Sequence, residues 1–250
     1  MSTALNLLLS TILLTTTAAD QTDHSPQTVR RTASTSGREK TNPASVQLLP
    51  PLQKFVTSLP AGFSAIPEDR KKQLDKLALF VKTSRASGET ARVLFICTHN
   101  SRRSHMGQLF ATVAAAYYNL DHVETFSGGT EATAFNPRAV AAMERVGFTI
   151  TNPGGSNPHY SVAYASNRPA VETFSKKYDD VTNPKEGFVA VMTCDQADKN
   201  CPVISGAALR LPLHYVDPKA SDGTPQESAT YDERARQIAT EVFYAFSRVK

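Results

Sequence analysis

A short apolar run, Arg92–Ile96, leads directly into a polar loop that starts at Cys97 and then into an amphipathic stretch, Met106–Leu120. The run has the length and composition of a buried parallel strand, and the stretch after the loop has the spacing of a helix. A strand, a tight loop and a helix N-terminus form a cradle for anions, because the loop N–H groups and the helix dipole point into it. We therefore predict a parallel α/β sheet with an anion site at the end of this strand.

The loop carries side chains that suit chemistry on a bound anion. Its residues are Cys97, Thr98, His99, Asn100, Ser101, Arg102, Arg103 and Ser104. Cys97, at the strand end, lies in a positive field that favours the nucleophilic thiolate. The guanidinium of Arg103 is a planar fork that matches two oxygens of a tetrahedral oxyanion. The pattern predicts attack by Cys97 on an oxyanion such as phosphate or arsenate. The alternative is a core cysteine with a surface arginine nearby.

These residues resemble the active-site loop of the low-molecular-weight protein tyrosine phosphatase superfamily, over the stretch from Val93 to Lys250. The loop of that superfamily is Cys-x5-Arg-Ser/Thr, which Cys97, Arg103 and Ser104 match. Its general acid is an aspartate followed by proline late in the chain, and Asp217 of Asp217-Pro218 matches it. The resemblance implies that Cys97, Arg103 and Asp217 are catalytic.

The other two cysteines, Cys194 and Cys201, have six residues between them and follow the strand-like run Phe188–Thr193. Structural zinc sites use pairs with two to four intervening residues, so we expect no metal and no other cofactor. Two redox cysteines at this spacing resemble the thioredoxin-coupled arsenate reductases, whereas the plain phosphatases lack the pair. The alternative is two unrelated thiols.

The resemblance implies a reaction in which Cys97 attacks arsenate while Asp217 protonates the departing oxygen. Cys194 then attacks Cys97, arsenite leaves, and Cys201 attacks Cys194 by thiol–disulfide exchange. Thioredoxin reduces the final disulfide. The polar segment between the two later cysteines is expected to be a solvated, mobile loop, because it must rearrange during these steps.

The resemblance implies that the remaining loop residues bind the oxyanion. It implies a supporting role for Ser127. Asn100 is expected to hold the loop conformation, since asparagine tolerates left-handed backbone angles. Ser104 is expected to bond the nucleophile and Ser127 to brace the loop. His99 stands where the family reductases usually have glycine, and we expect it on the surface; the alternative is a role in tuning the pKa of the thiol. Arg102 replaces a cysteine and is expected either to add positive charge at the anion site or to face solvent.

Three functions remain open on these residues. The favoured one is an arsenate reductase that uses Cys97, Cys194 and Cys201. The second is a low-molecular-weight protein tyrosine phosphatase, or a small phosphomonoesterase, that needs only Cys97, Arg103 and Asp217. No aromatic residue directly follows Asp217-Pro218, which argues against phosphotyrosine as substrate. The third is a redox-sensing or anion-binding module without turnover.

The fold class implied is α/β, with a four-stranded parallel sheet and helices on both faces. The predicted strands are Arg92–Ile96, Val123–Ser127, Phe188–Thr193 and Leu209–His214, and the predicted helices are Met106–Leu120, Pro137–Val146 and a last helix that opens with a capping box at Thr224–Glu227. The chain has 250 residues, 40% of them hydrophobic, and a net charge of +4, which is compatible with anionic substrates. It has no basic–aromatic pattern of the kind that binds nucleic acid.

The remaining segments divide as follows. Residues 1–45 form a signal-like or disordered extension whose apolar run is too short for a membrane span. Residues 46–90 are a helical extension, and residues 91–250 are the catalytic domain, with an insertion at about 150–187. Within the insertion we predict a strand over Asn157–Tyr164 and a helix over Val171–Tyr178. Because a thiol-dependent enzyme needs a reducing compartment, we predict that the protein is located in the cytoplasm. Export through the signal-like N-terminus is the alternative.

Overall fold

The computed structural model describes residues 45–200 and 203–250, so the predictions for the first 44 residues and for Cys201 lie outside the described part. In chain order the elements are helices α1 (Pro50–Ser58) and α2 (Glu68–Ala86), strand β1 (Ala91–Cys97), helix α3 (Arg103–Tyr117), strand β2 (Val123–Gly129), helix α4 (Pro137–Arg145), strands β3 (Thr149–Thr151), β4 (Tyr160–Ala163), β5 (Val171–Thr173) and β6 (Phe188–Met192), helix α5 (Asp195–Asn200), strand β7 (Ala207–Pro212) and helix α6 (Glu227–Ser247).

The central sheet has four parallel strands, as predicted, and their order is β2-β1-β6-β7. Its two middle strands are almost entirely buried, which explains why they appear in the sequence as continuous apolar runs rather than alternating ones. Side chains alternate between the faces, so Val93 and Phe95 join the larger core, which is packed beneath α2, α3, α4 and α6. Leu94 and Ile96 face a smaller core that Ala197 of α5 covers. Helices on both faces are therefore confirmed.

The predicted helical extension is present as two helices, α1 and α2, with the 3-10 helix Leu59–Ala65 between them. The second of them reaches the carboxyl edge of the sheet through Arg70. Its guanidinium pairs with Glu241 of α6 at 2.8 Å, donates to the carbonyl of His214 at 3.2 Å and lies 4.8 Å above the ring of Tyr215. The helical extension thus supports the segment that follows β7.

The insertion forms a second, antiparallel sheet in the order β3-β4-β5. The predicted strand within it is confirmed over Tyr160–Ala163. The predicted helix over Val171–Tyr178 is wrong. Glu172 is exposed while Thr173 is buried, a period of two that a strand requires, and Glu172 pairs with Ser161 of β4.

After β5 the chain runs on in extended form beside the end of β2. The N–H of Gly129 donates to the carbonyl of Lys176 at 2.9 Å, and the N–H of Tyr178 donates to the carbonyl of Gly129 at 2.8 Å. The insertion therefore extends the central sheet at the edge where β2 ends.

The last helix begins at Glu227, two residues later than the capping box predicts. The Glu227 carboxylate accepts from the N–H of Gly223 at 2.6 Å, and the hydroxyl of Thr224 accepts from the N–H of Gln226 at 3.3 Å. The same residues thus stabilise a turn in front of the helix instead of its first turn.

Within the described residues, no helix has the length and apolar character needed to cross a membrane.

Candidate active site

The predicted catalytic segments meet at the carboxyl edge of the central sheet. β1 and β6 are neighbours, and the N–H of Thr193 donates to the carbonyl of Ile96 at 2.7 Å, directly before Cys97. The N–H of Tyr215 donates to the carbonyl of Thr193 at 3.1 Å, which places the segment after β7 beside the end of β6. Because parallel strands end on the same side, the chain here brings together the surroundings of Cys97, Cys194 and Asp217.

Two buried side chains, those of Ser104 and Asn100, fix the position of the Cys97 thiol. The hydroxyl of Ser104 lies 3.1 Å from the Cys97 Sγ and accepts from the amide of Asn100 at 2.9 Å. Asn100 has a φ of 43°, the left-handed conformation expected for it, and its side-chain oxygen accepts from the N–H of Lys176 at 2.9 Å. Asn100 and Ser104 are fully buried, so this network holds the loop without help from solvent.

Arg103 and Asp217 are in direct contact. The guanidinium donates through Nη2 to the Asp217 carboxylate at 2.6 Å and through Nη1 to the carbonyl of Tyr215 at 2.9 Å. Its Nε is buried and has no hydrogen-bond partner among the described residues. The other carboxylate oxygen of Asp217 accepts from the N–H of Lys219 at 3.0 Å. An anion that enters the loop therefore finds a buried N–H donor next to an aspartate.

The thiol of Cys194 lies against the loop that holds Cys97. Its Sγ is 3.4 Å from the hydroxyl of Thr98, the residue that follows Cys97, and both cysteines belong to the smaller apolar core. Each of the two is only 3% exposed. The segment after Cys194 was expected to be a loop, but it forms the short helix α5. Cys201 lies outside the described residues.

The other loop residues have distinct surroundings. His99 is half exposed and lies 3.6 Å from the carboxylate of Glu131, so the expectation of a surface position is confirmed. The hydroxyl of Ser101 donates to the carbonyl of Ala134 at 2.7 Å. Both residues connect the loop to the chain that follows β2.

Arg102 follows neither of the two expectations. Its Nε donates to the hydroxyl of Tyr231 at 2.8 Å, and its Nη2 lies 3.5 Å from Asp222. The side chain is 11% exposed, and Asp222 compensates its charge. Arg102 thus connects the loop to α6 instead of pointing into solvent.

Ser127 braces the start of α3 rather than the loop directly. Its hydroxyl lies 3.1 Å from Nδ1 of His105, and its carbonyl accepts from the amide of Asn183 at 3.1 Å. His105 is fully buried against the ring of Phe135. Burial, together with the nearby charge of Lys176, lowers the pKa of His105 to about 3, so its imidazole is neutral at ordinary pH.

The sequence did not reveal the part that the insertion plays at this site. The hydroxyl of Ser175 donates to the carbonyl of His99 at 3.0 Å and accepts from the N–H of Thr133 at 2.8 Å. A Cβ at Gly129 would lie 2.7 Å from the carbonyl oxygen of Thr98, so only glycine lets β2 approach the loop this closely. These contacts join residues that are distant in sequence, and no local pattern indicates them.

A groove of about 420 Å³ opens beside the loop. It is lined by Arg103, Cys194, Asp195, Gln196, His214, Tyr215, Val216 and Asp217. The described residues contain no group of three or more histidine, cysteine, aspartate or glutamate side chains that could hold a metal ion.

Comparison with known proteins identifies the family. An arsenate reductase of Shouchella clausii is 31% identical over 144 residues, which are 58% of this chain and 86% of that protein. An arsenate reductase of Bacillus subtilis is 30% identical over 148 residues, 59% of this chain and 88% of that protein. The chain belongs to the arsenate reductase family. The resemblance to the arsenate reductases that the cysteine pattern indicated is thereby confirmed.

Solved structures with a related arrangement include an arsenate reductase in a phosphate-bound state, which is 18% identical, covers 64% of this chain and 99% of its own, and has a TM-score of 0.42. A low-molecular-weight protein tyrosine phosphatase of Bacillus subtilis is 15% identical, covers 63% and 95%, and has a TM-score of 0.43. No protein-family model matches the chain. The family assignment rests on the relatives in sequence.

Proposed function

We propose that this protein reduces arsenate to arsenite with three cysteines and that thioredoxin supplies the electrons. The observation that carries the proposal is the thiol of Cys194, buried 3.4 Å from Thr98 and in one apolar cluster with Cys97. Hydrolysis of a phosphoester needs only the one nucleophilic thiol. A reductase needs a second one, because a thiol must attack the nucleophilic cysteine after it has bound arsenic.

Substrate binding begins with the exchange of one anion for another on Arg103. In the structure the Asp217 carboxylate occupies part of the guanidinium fork, and the Nε donor is buried and unpaired among the described residues. Arsenate takes the fork and accepts hydrogen bonds from the loop N–H groups. Asp217 is then beside the oxyanion, where a proton donor is required.

Chemistry starts with the Cys97 thiolate, whose Sγ lies 3.1 Å from the Ser104 hydroxyl. The Sγ attacks arsenic, and an S–As bond forms as an As–O bond breaks. The departing hydroxyl takes a proton from Asp217 and leaves as water. Attack on the bound oxyanion is favoured because thiol and arsenic are held in one rigid loop.

Reduction follows when the Cys194 thiolate attacks the Sγ of Cys97. A disulfide forms, the electron pair of the S–As bond stays on arsenic, and arsenite leaves as arsenic goes from the +5 to the +3 state. The thiolate of Cys201 then attacks Cys194, which releases Cys97 as a thiolate. Thioredoxin reduces the Cys194–Cys201 disulfide by the same exchange, which requires a reducing compartment.

Phosphomonoester hydrolysis is the second candidate, because the groove beside Arg103 has room for the organic group of an ester in addition to an oxyanion. That reaction would need Cys97, Arg103 and Asp217 alone. Lys219 and Ala220 follow Pro218 where the phosphatases have aromatic residues, so a small ester suits this chain better than phosphotyrosine.

The two candidates separate in a coupled assay with the full chain. NADPH oxidation is followed with thioredoxin reductase, thioredoxin and arsenate, and p-nitrophenyl phosphate hydrolysis is measured in the same preparation. We expect arsenate-dependent oxidation that Cys201→Ser abolishes. Ester hydrolysis that is unchanged in Cys194→Ser, with no arsenate-dependent oxidation in the parent protein, would instead identify a phosphatase.

A further inference from the structure

The segment that carries Asp217 is attached to the active-site loop at both of its ends. Asp217 caps the 3-10 helix Pro218–Ser221, and Asp222 follows this helix directly. At the first end, Nη2 of Arg103 donates to the Asp217 carboxylate at 2.6 Å. At the second end, Nη2 of Arg102 lies 3.5 Å from the Asp222 carboxylate. Two neighbouring arginines of the loop thus pair with the two carboxylates that flank one short helix.

Tyr231 of α6 completes the second attachment. Nε of Arg102 donates to the Tyr231 hydroxyl at 2.8 Å, and this hydroxyl donates to the other oxygen of Asp222 at 2.8 Å. Burial raises the pKa of Tyr231 to about 12, so its hydroxyl keeps the proton that it donates. The side chains of Arg102 and Asp222 are 11% and 22% exposed. We call this closed, largely buried ring of Arg102, Tyr231 and Asp222 the clamp.

A further cation near Asp222 contributes less. Nε of Arg138 lies 3.8 Å from the Asp222 carboxylate, but it pairs with Glu227 at 2.7 Å and its side chain is 39% exposed. Ion pairs that water can reach are weak. The clamp is therefore the stronger attachment of Asp222.

Substrate affects the two attachments differently. In the proposed reaction the oxyanion takes the guanidinium fork of Arg103 from Asp217. That end of the segment is then released at the moment when Asp217 must donate a proton. The clamp uses Nε and Nη2 of Arg102 and nothing of Arg103, so it stays closed when the oxyanion binds.

We propose that Arg102, Tyr231 and Asp222 are positioning residues that keep Asp217 beside the active-site loop after the oxyanion has displaced it from Arg103. This inference rests on the proposed function. The clamp acts on the reaction only through Asp217, because its hydrogen bonds are made within the ring of three side chains. Opening it slows the step that needs the proton and leaves anion binding by the loop intact.

Tyr231→Phe tests the clamp, because it removes one hydroxyl and leaves both charges in place. The background is the reduced Cys201→Ser protein, in which arsenite formation in a single turnover is followed by rapid quenching. The rate should fall about threefold to tenfold, since a hydrogen bond to a carboxylate is lost. The dissociation constant of inorganic phosphate, from isothermal titration calorimetry, should change less than about twofold. Asp222→Asn should act in the same direction and serves if Tyr231→Phe folds poorly.

The matched control is Tyr244→Phe, the same substitution on the same helix. The Tyr244 ring packs edge to face with Phe63 at 5.6 Å, away from the active-site loop. We expect its single-turnover rate and its phosphate affinity to equal those of the parent protein.

A second background separates positioning from a general effect on the fold. In Asp217→Asn the proton donor is gone, so Tyr231→Phe should slow the remaining reaction less than about twofold. A purely structural role of the hydroxyl would slow the reaction equally with and without Asp217.

Equal slowing in the two backgrounds would overturn the clamp and leave the proposed function intact. An unchanged rate in Tyr231→Phe, or a loss of phosphate affinity as large as the loss of rate, would have the same consequence. If the Cys201→Ser protein formed no arsenite, or if Asp217→Asn did not slow it, the proposed function itself would fail in its reduction step or in its general acid. These failures are distinct from that of the clamp.

Discussion

Asn100 combines a left-handed backbone conformation with two side-chain hydrogen bonds, and few residue types can provide both. Its φ of 43° lies in the left-handed region, and its side chain both donates to Ser104 and accepts from the N–H of Lys176. Asparagine adopts this backbone conformation at lower cost than other residues with a Cβ. The sequence predicted the conformation correctly, but not the contact with Lys176, which lies 76 residues away.

Substitution of Asn100 by alanine should therefore cost more than backbone strain alone. We expect Asn100→Ala to lower the free energy of unfolding by about 2–4 kcal/mol, since strain is added to two lost buried hydrogen bonds. Asn119→Ala is the control, because Asn119 has a φ of 52° but is exposed, and it should cost about 1 kcal/mol. Equal losses in urea denaturation would show that the network around Asn100 contributes nothing.

His105 makes the folded protein sensitive to acid. Its pKa is about 3 in the folded state, against an ordinary value of 6.5, so the unfolded chain binds the extra proton between these values. A depressed histidine pKa therefore gives stability that is present above pH 6.5 and is lost as the pH falls toward 3. The slope from this one group approaches about 1.4 kcal/mol per pH unit.

Denaturation curves between pH 7.5 and 4 test this effect. His105→Asn should flatten the dependence of unfolding free energy on pH, whatever its stability at neutral pH. His122→Asn, at an exposed turn, should leave the slope of the parent protein unchanged. Parallel curves for the parent protein and His105→Asn would contradict a buried, neutral imidazole.

At the scale of elements, the insertion acts as a support for the active-site loop. Its sheet β3-β4-β5 leads into an extended segment that pairs with the end of β2, and Ser175 in this segment bonds the loop carbonyl of His99. Sequence periodicity misassigned Val171–Tyr178 as a helix, because only three residues there have strand geometry and their partner strand lies elsewhere in the chain. The sequence did not predict helix α5 either. Only one of its residues, Ala197, is buried, and its polar neighbours give no apolar periodicity from which a helix could be predicted.

If the insertion supports the active-site loop, Ser175→Ala should weaken anion binding although Ser175 does not belong to that loop. The change leaves the His99 carbonyl and the Thr133 N–H without their partner, so we expect weaker binding of inorganic phosphate, by about threefold to tenfold. Isothermal titration calorimetry measures the dissociation constant. Ser161→Ala, on the exposed face of β4, is the control and should bind like the parent protein. Unchanged binding in Ser175→Ala would mean that the insertion merely covers the sheet.

At the scale of the whole molecule, the parallel sheet and the place of Cys97 at the end of one of its strands followed from local patterns. The runs at β1 and β6 are apolar because both faces of those strands are buried, and the loop with a cysteine, an arginine and a serine between strand and helix carries the resemblance to the family. The pairing of Arg103 with Asp217 and of Arg102 with Asp222 could not be predicted, because each joins residues more than 100 positions apart.

In the proposed reaction Cys194 attacks Cys97 after arsenate has bound there. The most direct measurement is a single turnover of the reduced Cys201→Ser protein with arsenate, followed by acid quenching, arsenite determination and peptide mass spectrometry. We expect one arsenite per protein molecule and a Cys97–Cys194 disulfide, with neither product in Cys194→Ser. Arsenite formed by Cys194→Ser, or no arsenite and no such disulfide in Cys201→Ser, would contradict it.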